Sequence, residues 1–131
     1  MRILLDTHIL IWLVTDLARV RPGERQLIQR HRSSVIVSVI SLWEIRMKWD
    51  ATNRKGKRKG DLDPAVAAAF VDDAGFAIEP LTRSAILAQL AIPLDHREAF
   101  DRLLLVHAQE LGARLLTRDP ELLVHPVAMS A

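Results

Sequence analysis

The sequence contains no cysteine among its 131 residues, and this absence excludes several kinds of chemistry. Without cysteine there can be no disulfide, no thiolate nucleophile and no zinc site built on thiolates. Such a composition is typical of a chain that works in a reducing compartment, and we expect a cytoplasmic protein.

Long apolar runs are also missing. The longest apolar stretch, from Val35 to Trp43, includes two serines and is far too short to cross a bilayer. Asp6 stands where a signal peptide would need its apolar core. Half of the residues are apolar and a quarter are charged, which is ordinary for a globular protein. We therefore expect one globular domain over residues 1–131, with no membrane segment.

Lysine is absent after Lys59, and the two parts of the chain differ in charge. Residues 1–59 carry 13 Lys and Arg against 5 Asp and Glu, a net charge of +8. Residues 60–131 carry 5 against 11, a net charge of −6. This separation predicts one face that binds a polyanion and another that binds cations or a basic partner.

Short apolar runs and helical periodicities alternate along the chain. Residues 3–5 are predicted to form a buried strand that passes into a helix at Asp6 and Thr7. Further strands are predicted at 35–40, 76–81 and 113–117, with a weak one at 124–129. Helices are predicted at 24–32, from Ser41 onward, at 64–74, 82–92 and 97–111, and at a short turn after Pro120. The alternation indicates a three-layer α/β/α domain around a mostly parallel sheet of four to five strands.

Four carboxylates are expected at the same edge of this sheet. Asp6 ends the first strand, Glu44 follows the second by one helical turn, and Asp119 follows the fourth by two residues. Asp101 lies near the start of the helix that leads back to the fourth strand. The carboxyl ends of parallel strands form the crevice where α/β proteins bind ligands.

Each acid also has a purely structural explanation. Asp6 or Thr7 could cap the first helix, Glu44 could complete a capping box with Ser41, Asp119 could cap the helix at Pro120, and Asp101 could pair with Arg97. Four clustered carboxylates, however, repel one another unless a cation neutralises them. Oxygen ligands without His or Cys favour a hard ion such as Mg²⁺ or Mn²⁺.

Four segments carry a resemblance to a known family: LLDTHILIW at the start, SVISLWEI in the middle, HREAFDRLLLVHAQ late and LLTRD near the end. In this order and spacing they resemble a PIN-domain ribonuclease of the VapC toxin type. The resemblance implies a Mg²⁺-dependent endoribonuclease of a type II toxin–antitoxin system, inhibited by a cognate protein antitoxin. The acidic quartet of that family falls on Asp6, Glu44, Asp101 and Asp119, and its hydroxyl falls on Thr117, expected to orient Asp119. Ser41 is expected to support Glu44.

Two segments depart from the family pattern. Glu98-Ala99 stands where the family usually has Asp-Pro, which should alter the helix start more than a metal site. The KGKRKG segment is more basic than usual. We expect RNA contacts from the basic cluster around it, although a solvated loop would have the same composition. The cluster consists of Arg46, Lys48, Arg54, Lys55, Lys57, Arg58 and Lys59.

Trp12, Trp43 and Trp49 are expected to be core or dimer contacts, and a homodimer is expected. The alternative for the whole chain is a catalytically idle nucleic-acid-binding or interaction module whose carboxylates serve only as helix caps.

Overall fold

A five-stranded parallel sheet forms the centre of the structure, a computed structural model that describes residues 1–51, 56, 60–93 and 98–131. The strand order is β3-β2-β1-β4-β5, and every neighbouring pair is parallel. The strands are β1 (Ile3–Leu5), β2 (Val35–Ser38), β3 (Ala77–Glu79), β4 (Arg114–Leu116) and β5 (Ala128–Met129). The predicted parallel α/β sheet is thereby confirmed.

Seven α-helices in the described part of the chain connect and cover these strands. They are α1 (Thr7–Thr15), α2 (Pro22–Arg30), α3 (Val39–Asp50), α4 (Pro64–Ala74), α5 (Arg83–Leu87), α6 (Ala99–Leu111) and α7 (Pro120–Leu123). None of the helices in these residues is long and apolar enough to cross a membrane.

Two apolar cores lie on opposite faces of the sheet, because successive strand residues point to opposite faces. Ile3 and Leu5 of β1 pack with residues of α1, α2, α3 and α4 in one core. Leu4, between them, packs with Leu104 and Leu105 of α6 in the other. All five of these side chains are fully buried. The predicted three-layer α/β/α arrangement is confirmed.

The second strand is shorter than predicted, and the third helix begins earlier. The strand ends at Ser38 instead of residue 40, and α3 begins at Val39. The Ser38 hydroxyl oxygen accepts a hydrogen bond from the Ile40 amide at 3.0 Å, so Ser38 is the N-cap. The prediction that Ser41 opens this helix is therefore wrong. The β-branched run at 35–40 extends into the first two residues of α3, so it overestimates the strand. The N-cap at Ser38 marks the actual end of the strand.

The fifth helix also differs from its prediction, since it ends at Leu87 and not near Ile92. The Gln109 side chain of α6 donates to the Gln89 carbonyl at 2.9 Å and accepts from the Ala91 amide at 2.7 Å. The Ala91 amide is thereby occupied, whereas in a longer helix it would have bonded the Leu87 carbonyl. The remaining strands β3, β4 and β5 are two to four residues shorter than predicted.

The sixth helix begins at Ala99, with Glu98 as its N-cap, and not at residue 97. The Glu98 carboxylate accepts from the amides of Phe100 at 3.2 Å and Asp101 at 2.7 Å. Arg97, the partner considered for Asp101, lies outside the described residues. The second helix likewise starts early, at Pro22, and Glu24 accepts from the Arg21 amide at 2.8 Å.

Candidate active site

Asp6 lies directly after β1, at the carboxyl edge of the sheet, and only 7% of its surface is exposed. It occupies the N-cap position of α1, but its side chain makes no capping hydrogen bond. Instead, its carboxylate oxygen Oδ2 accepts a hydrogen bond from the Thr117 hydroxyl at 2.6 Å. The explanation of Asp6 as a capping side chain is therefore wrong.

Thr117 follows β4, the strand paired with β1, and is fully buried. Its hydroxyl donates to Asp6 and accepts from the Asp119 amide at 3.0 Å. The resemblance implied that this hydroxyl orients Asp119. In the structure it bonds the backbone of Asp119 and the side chain of Asp6, so it links both acids.

Asp119 is the N-cap of α7, and its oxygen Oδ1 accepts from the Glu121 amide at 2.9 Å. The capping role considered for Asp119 is thus confirmed. Capping by one oxygen does not exclude a second role, because a carboxylate has two oxygens and about four lone-pair sites.

Asp101 is the third residue of α6, where a negative charge is favoured by the helix dipole. Together with Asp6 and Asp119 it lines a cavity of about 160 Å³. His8, Ile9, Trp12 and Arg118 complete the lining. Three of the four predicted acids, each from a different segment of the chain, therefore surround one cavity.

Glu44 does not line this cavity. It lies on α3, where Ser38 is the N-cap, so the capping box proposed between Ser41 and Glu44 is wrong. Its carboxylate is 3.3 Å from the Lys48 ammonium, and 14% of its side chain is exposed. Glu44 lines a neighbouring cavity of about 480 Å³, which Asp101 and His8 also line.

Ser41 is fully buried and contacts α1 rather than Glu44. Its hydroxyl is hydrogen-bonded to the Thr7 hydroxyl at 2.8 Å. The expected support of Glu44 by Ser41 can only be indirect, since the bond joins the helix that carries Glu44 to the residue after Asp6.

The carboxylate oxygens of Asp6, Asp101 and Asp119 around the first cavity are ligands that a hard cation such as Mg²⁺ prefers. In the described part of the chain, however, no three His, Asp or Glu side chains are gathered closely enough to hold a metal ion. The three aspartates have suitable ligand atoms and line a common cavity. Their carboxylates do not, however, form a compact cluster of metal ligands.

Arg118 lies in the cavity wall and was not predicted as a site residue. Its guanidinium binds the carboxylate of Glu24 through two hydrogen bonds, Nε to Oε2 at 2.8 Å and Nη2 to Oε1 at 2.5 Å. It also donates to the Arg19 carbonyl and lies 4.5 Å from the ring centre of Trp12. Arg118 is thereby held rigidly beside Asp119, with a cation–π contact on the indole.

Glu24 is fully buried, and this was not predicted, because a helix at 24–32 by itself does not indicate which of its charged residues faces the core. Burial by itself raises the pKa of Glu24, but hydrogen bonds from Arg118 and from the Arg21 amide outweigh it and hold the pKa below its ordinary value of 4.5. The same bond raises the pKa of Arg118. The sequence does hold one signal, since Pro22 followed by Glu24 is typical of a helix start.

Two members of the predicted basic cluster lie on the exposed side of α3. Arg46 is 3.6 Å from Asp50, and Lys48 is paired with Glu44 as described above. The other five, at positions 54, 55, 57, 58 and 59, lie outside the described residues. Exposed pairs of this kind contribute little stability, so both cations remain available to an anionic ligand.

Comparison with known proteins agrees with this geometry. The family model described as PIN domain matches residues 3–126. The chain belongs to the PIN-domain family. A search of the curated proteins finds no match to it.

Two solved structures are similar to this PIN domain along its whole length. The crystal structure of VapBC2 from Rickettsia felis, bound to a DNA fragment from their promoter, matches with a TM-score of 0.67 and 15% identity, covering 100% of this chain and 98% of the other. That of DNA-bound VapBC from Salmonella typhimurium matches with a TM-score of 0.64 and 18% identity, covering 100% and 97%. At these identities the likeness concerns the fold.

Proposed function

We propose that this PIN domain is a Mg²⁺-dependent endoribonuclease, the toxin of a type II toxin–antitoxin system. The observation that carries the proposal is the cavity that Asp6, Asp101 and Asp119 line together. PIN domains are generally nucleases, and three carboxylates at the carboxyl edge of a parallel sheet provide the negative site that such chemistry needs.

Asp6, Asp101 and Asp119 would hold the ion, and Glu44 would reach it or its water from the adjoining cavity. Bound there, Mg²⁺ would polarise a phosphoryl oxygen and lower the pKa of a coordinated water. Thr117 contributes by holding the carboxylate of Asp6 in one orientation. Arg118, held by Glu24, presents a fixed positive charge at the cavity wall, where it would contact the phosphate next to the one that is cleaved.

RNA is the proposed substrate, and the excess of positive charge in residues 1–59 supports it. Lys48 lines the same cavity as Glu44, and Arg46 is exposed on the same helix, α3. A phosphate chain that enters the acidic site would pass these cations, which offset the repulsion between carboxylates and phosphates. The remaining five members of the basic cluster are proposed to extend this contact.

A cytoplasmic antitoxin and a second copy of the chain are the proposed partners. The structural neighbours are VapBC complexes. We propose that the antitoxin inserts an Arg or Lys among Asp6, Asp101 and Asp119, where its charge would take the place of the metal. Trp43 of α3 is 58% exposed and Met47 is 46% exposed, and this apolar surface is proposed as a dimer contact.

Metal dependence tests the enzymatic proposal most directly. The purified chain is expected to cleave total RNA with Mg²⁺ or Mn²⁺ and to stop when EDTA is added, and sequencing of the new 5′ ends would locate the cleavage sites. An expected rise in melting temperature with Mn²⁺ gives an independent readout.

One observation favours the alternative of an idle binding module: the Asp119 side chain serves as a helix cap. An idle module would bind RNA without cleaving it in Mg²⁺ or Mn²⁺, and its melting temperature would not change with Mn²⁺. These two results together would contradict the proposed nuclease.

A further inference from the structure

Buried hydroxyl groups join, one after another, the four segments that carry the acids. Thr117 of the β4 segment bonds Asp6 of the β1 segment at 2.6 Å. Thr7 of the β1 segment bonds Ser41 of α3 at 2.8 Å. Ser38, at the start of α3, bonds Nδ1 of His107 on α6 at 2.8 Å. All of these side chains are buried, so the bonds are shielded from competing water.

The last link, between Ser38 and His107, joins the two acids that are carried by helices. Ser38 precedes Glu44 by six residues, and His107 follows Asp101 by six residues. Six helical residues span about 9 Å. The bond is thus one fixed point from which both helices extend toward the cavity that Glu44 and Asp101 share.

The bond to Ser38 indicates which ring nitrogen of His107 carries the proton. The Ser38 hydroxyl oxygen accepts from the Ile40 amide, so its proton is free to be donated to Nδ1 of His107. Burial lowers the pKa of His107, against the opposing influence of the Pro80 carbonyl and the charge of Glu79. In a neutral ring that accepts from Ser38, the proton lies on Nε2.

We propose that His107 is a positioning residue of the acidic site, which sets the distance between Asp101 and Glu44 through its bond to Ser38. The inference rests on the proposed function, because it gives that distance a role in holding the cation. Loss of the bond would let α6 shift against α3, and the two carboxylates would no longer bind the ion together.

Two variants test the bond between His107 and Ser38. In His107→Asn the side-chain oxygen takes the place of Nδ1 and still accepts from Ser38. In His107→Gln the longer side chain carries its amide beyond the position of Nδ1, so the acceptor for Ser38 is lost. Gln109→Ala is the matched control, since Gln109 lies on the same helix and bonds the segment after α5 without contact to Ser38.

The readout is the affinity of the RNA-free protein for Mn²⁺, measured by calorimetry, together with kcat, KM and melting temperature. We expect His107→Gln to weaken Mn²⁺ binding about five- to tenfold, near the lower limit for residues that orient ligands. His107→Asn and Gln109→Ala are expected to stay within about twofold of the parent, although both lower the melting temperature. Equal Mn²⁺ affinity in both His107 variants would overturn the proposal and leave His107 a stabilising residue only.

A measurement on the unmodified protein covers the case in which the variants do not fold. Nitrogen NMR of the histidine rings should show His107 neutral, with its proton on Nε2, and a bound diamagnetic Mg²⁺ should shift its Nδ1 signal. An Nδ1 signal that does not respond to Mg²⁺ would overturn the proposal, because the bond to Ser38 would then be independent of the cation site. Failure of the proposed function is recognised separately, because the parent protein itself would then bind no Mn²⁺ and cleave no RNA.

Discussion

The two halves of the acidic site are held in place by different means. Asp6 and Asp119 follow β1 and β4, which pair directly, with Leu5 opposite Leu116. The Asp6 amide extends this pairing by donating to the Leu116 carbonyl at 3.0 Å. Asp101 and Glu44 lie on α6 and α3 instead, and their separation depends on how these helices pack.

The difference shows which half of the site the sheet determines. The parallel pairing of β1 with β4 fixes the backbone positions of Asp6 and Asp119 relative to each other. The Thr117 hydroxyl then hydrogen-bonds both residues. The helical half has no such ladder, because helices pack through side chains that slide more easily than a hydrogen-bonded sheet deforms. Substitutions in the two halves should therefore differ in their effects on stability and on activity.

The largest effect is expected from removing the charge of one acid in each half. Asp6→Asn and Asp101→Asn should each lower RNA cleavage at least a thousandfold, or about 4 kcal/mol of transition-state stabilisation. Asn keeps the shape and removes the charge that a cation requires, so circular dichroism should remain that of the parent. Asp72→Asn, at an exposed position on α4, is the control and should be silent. Undiminished cleavage by both variants would refute the nuclease site.

The next effect concerns the ion pair between Arg118 and Glu24, which holds Arg118 in the wall of the cavity that Asp6 and Asp119 line. Arg118→Gln should lower the free energy of unfolding by about 3 kcal/mol at pH 7, because it leaves a buried carboxylate without its cation. In the double variant with Glu24→Gln the loss should be smaller, since no charge is left unpaired. Denaturant unfolding of the four proteins in this cycle measures the coupling.

The pH dependence of the same variants gives a second check. In the parent the pKa of Glu24 is lowered, so its stabilising contribution is present above pH 4.5 and is lost as the pH falls through its pKa in the folded state. In Arg118→Gln burial is opposed by Arg21 alone, so the pKa of Glu24 should rise. The deficit of the variant should therefore shrink as the pH is lowered from 7 to 4, and a constant deficit would contradict the charge argument.

A smaller effect is expected from the hydroxyl that joins Asp6 and Asp119. Thr117→Val preserves the shape and should cost about 2 kcal/mol of stability, the usual cost of leaving buried polar groups without a partner. Activity should fall about tenfold as Asp6 loses its orientation. Thr117→Ser retains the hydroxyl and should recover most of the activity. If Val and Ser behave alike in the cleavage assay, the hydroxyl does not orient Asp6.

The smallest effect should come from Glu44, in the helical half. Glu44→Gln should change the free energy of unfolding by no more than about 0.5 kcal/mol, because Gln keeps the shape of the side chain and the ion pair that is lost has a half-exposed partner in Lys48. Activity should fall about tenfold, or about 1.4 kcal/mol, if the charge contributes to cation binding. Lys48→Gln breaks the same pair and keeps the acid, so it should preserve metal affinity. Parent-like cleavage by Glu44→Gln would restrict the site to three aspartates.

Local patterns in the sequence predicted most helices and strands. They failed at helix ends that are determined by a residue distant in the sequence. The strand at Ile3–Leu5, the cap at Asp63 and the glycine that ends α6 were predictable, because each depends on its immediate neighbours. The end of α5 was not, because Gln109 binds the segment after it from across the fold.

The candidate site was predicted in part for the same reason. The position of Asp6 at the strand end follows from the apolar run that precedes it. The carboxyl ends of parallel strands meet at one edge of a sheet, which predicted that the other acids lie there as well. The capping box at Ser41 was a convincing local pattern that proved wrong, because Ser38 caps the helix and Ser41 is taken by Thr7.

The sequence by itself determined the order of the elements, the parallel sheet with its two apolar faces, and the edge at which the acids would meet. These properties are encoded by periodicities of two and 3.6 residues and by caps, all of which act between near neighbours. Only the tertiary structure decided which polar groups are paired. The bonds of Asp6 with Thr117, of Arg118 with Glu24 and of His107 with Ser38 span 111, 94 and 69 residues. No local pattern specifies such pairs, since burial far from water is what forces each group to find a partner.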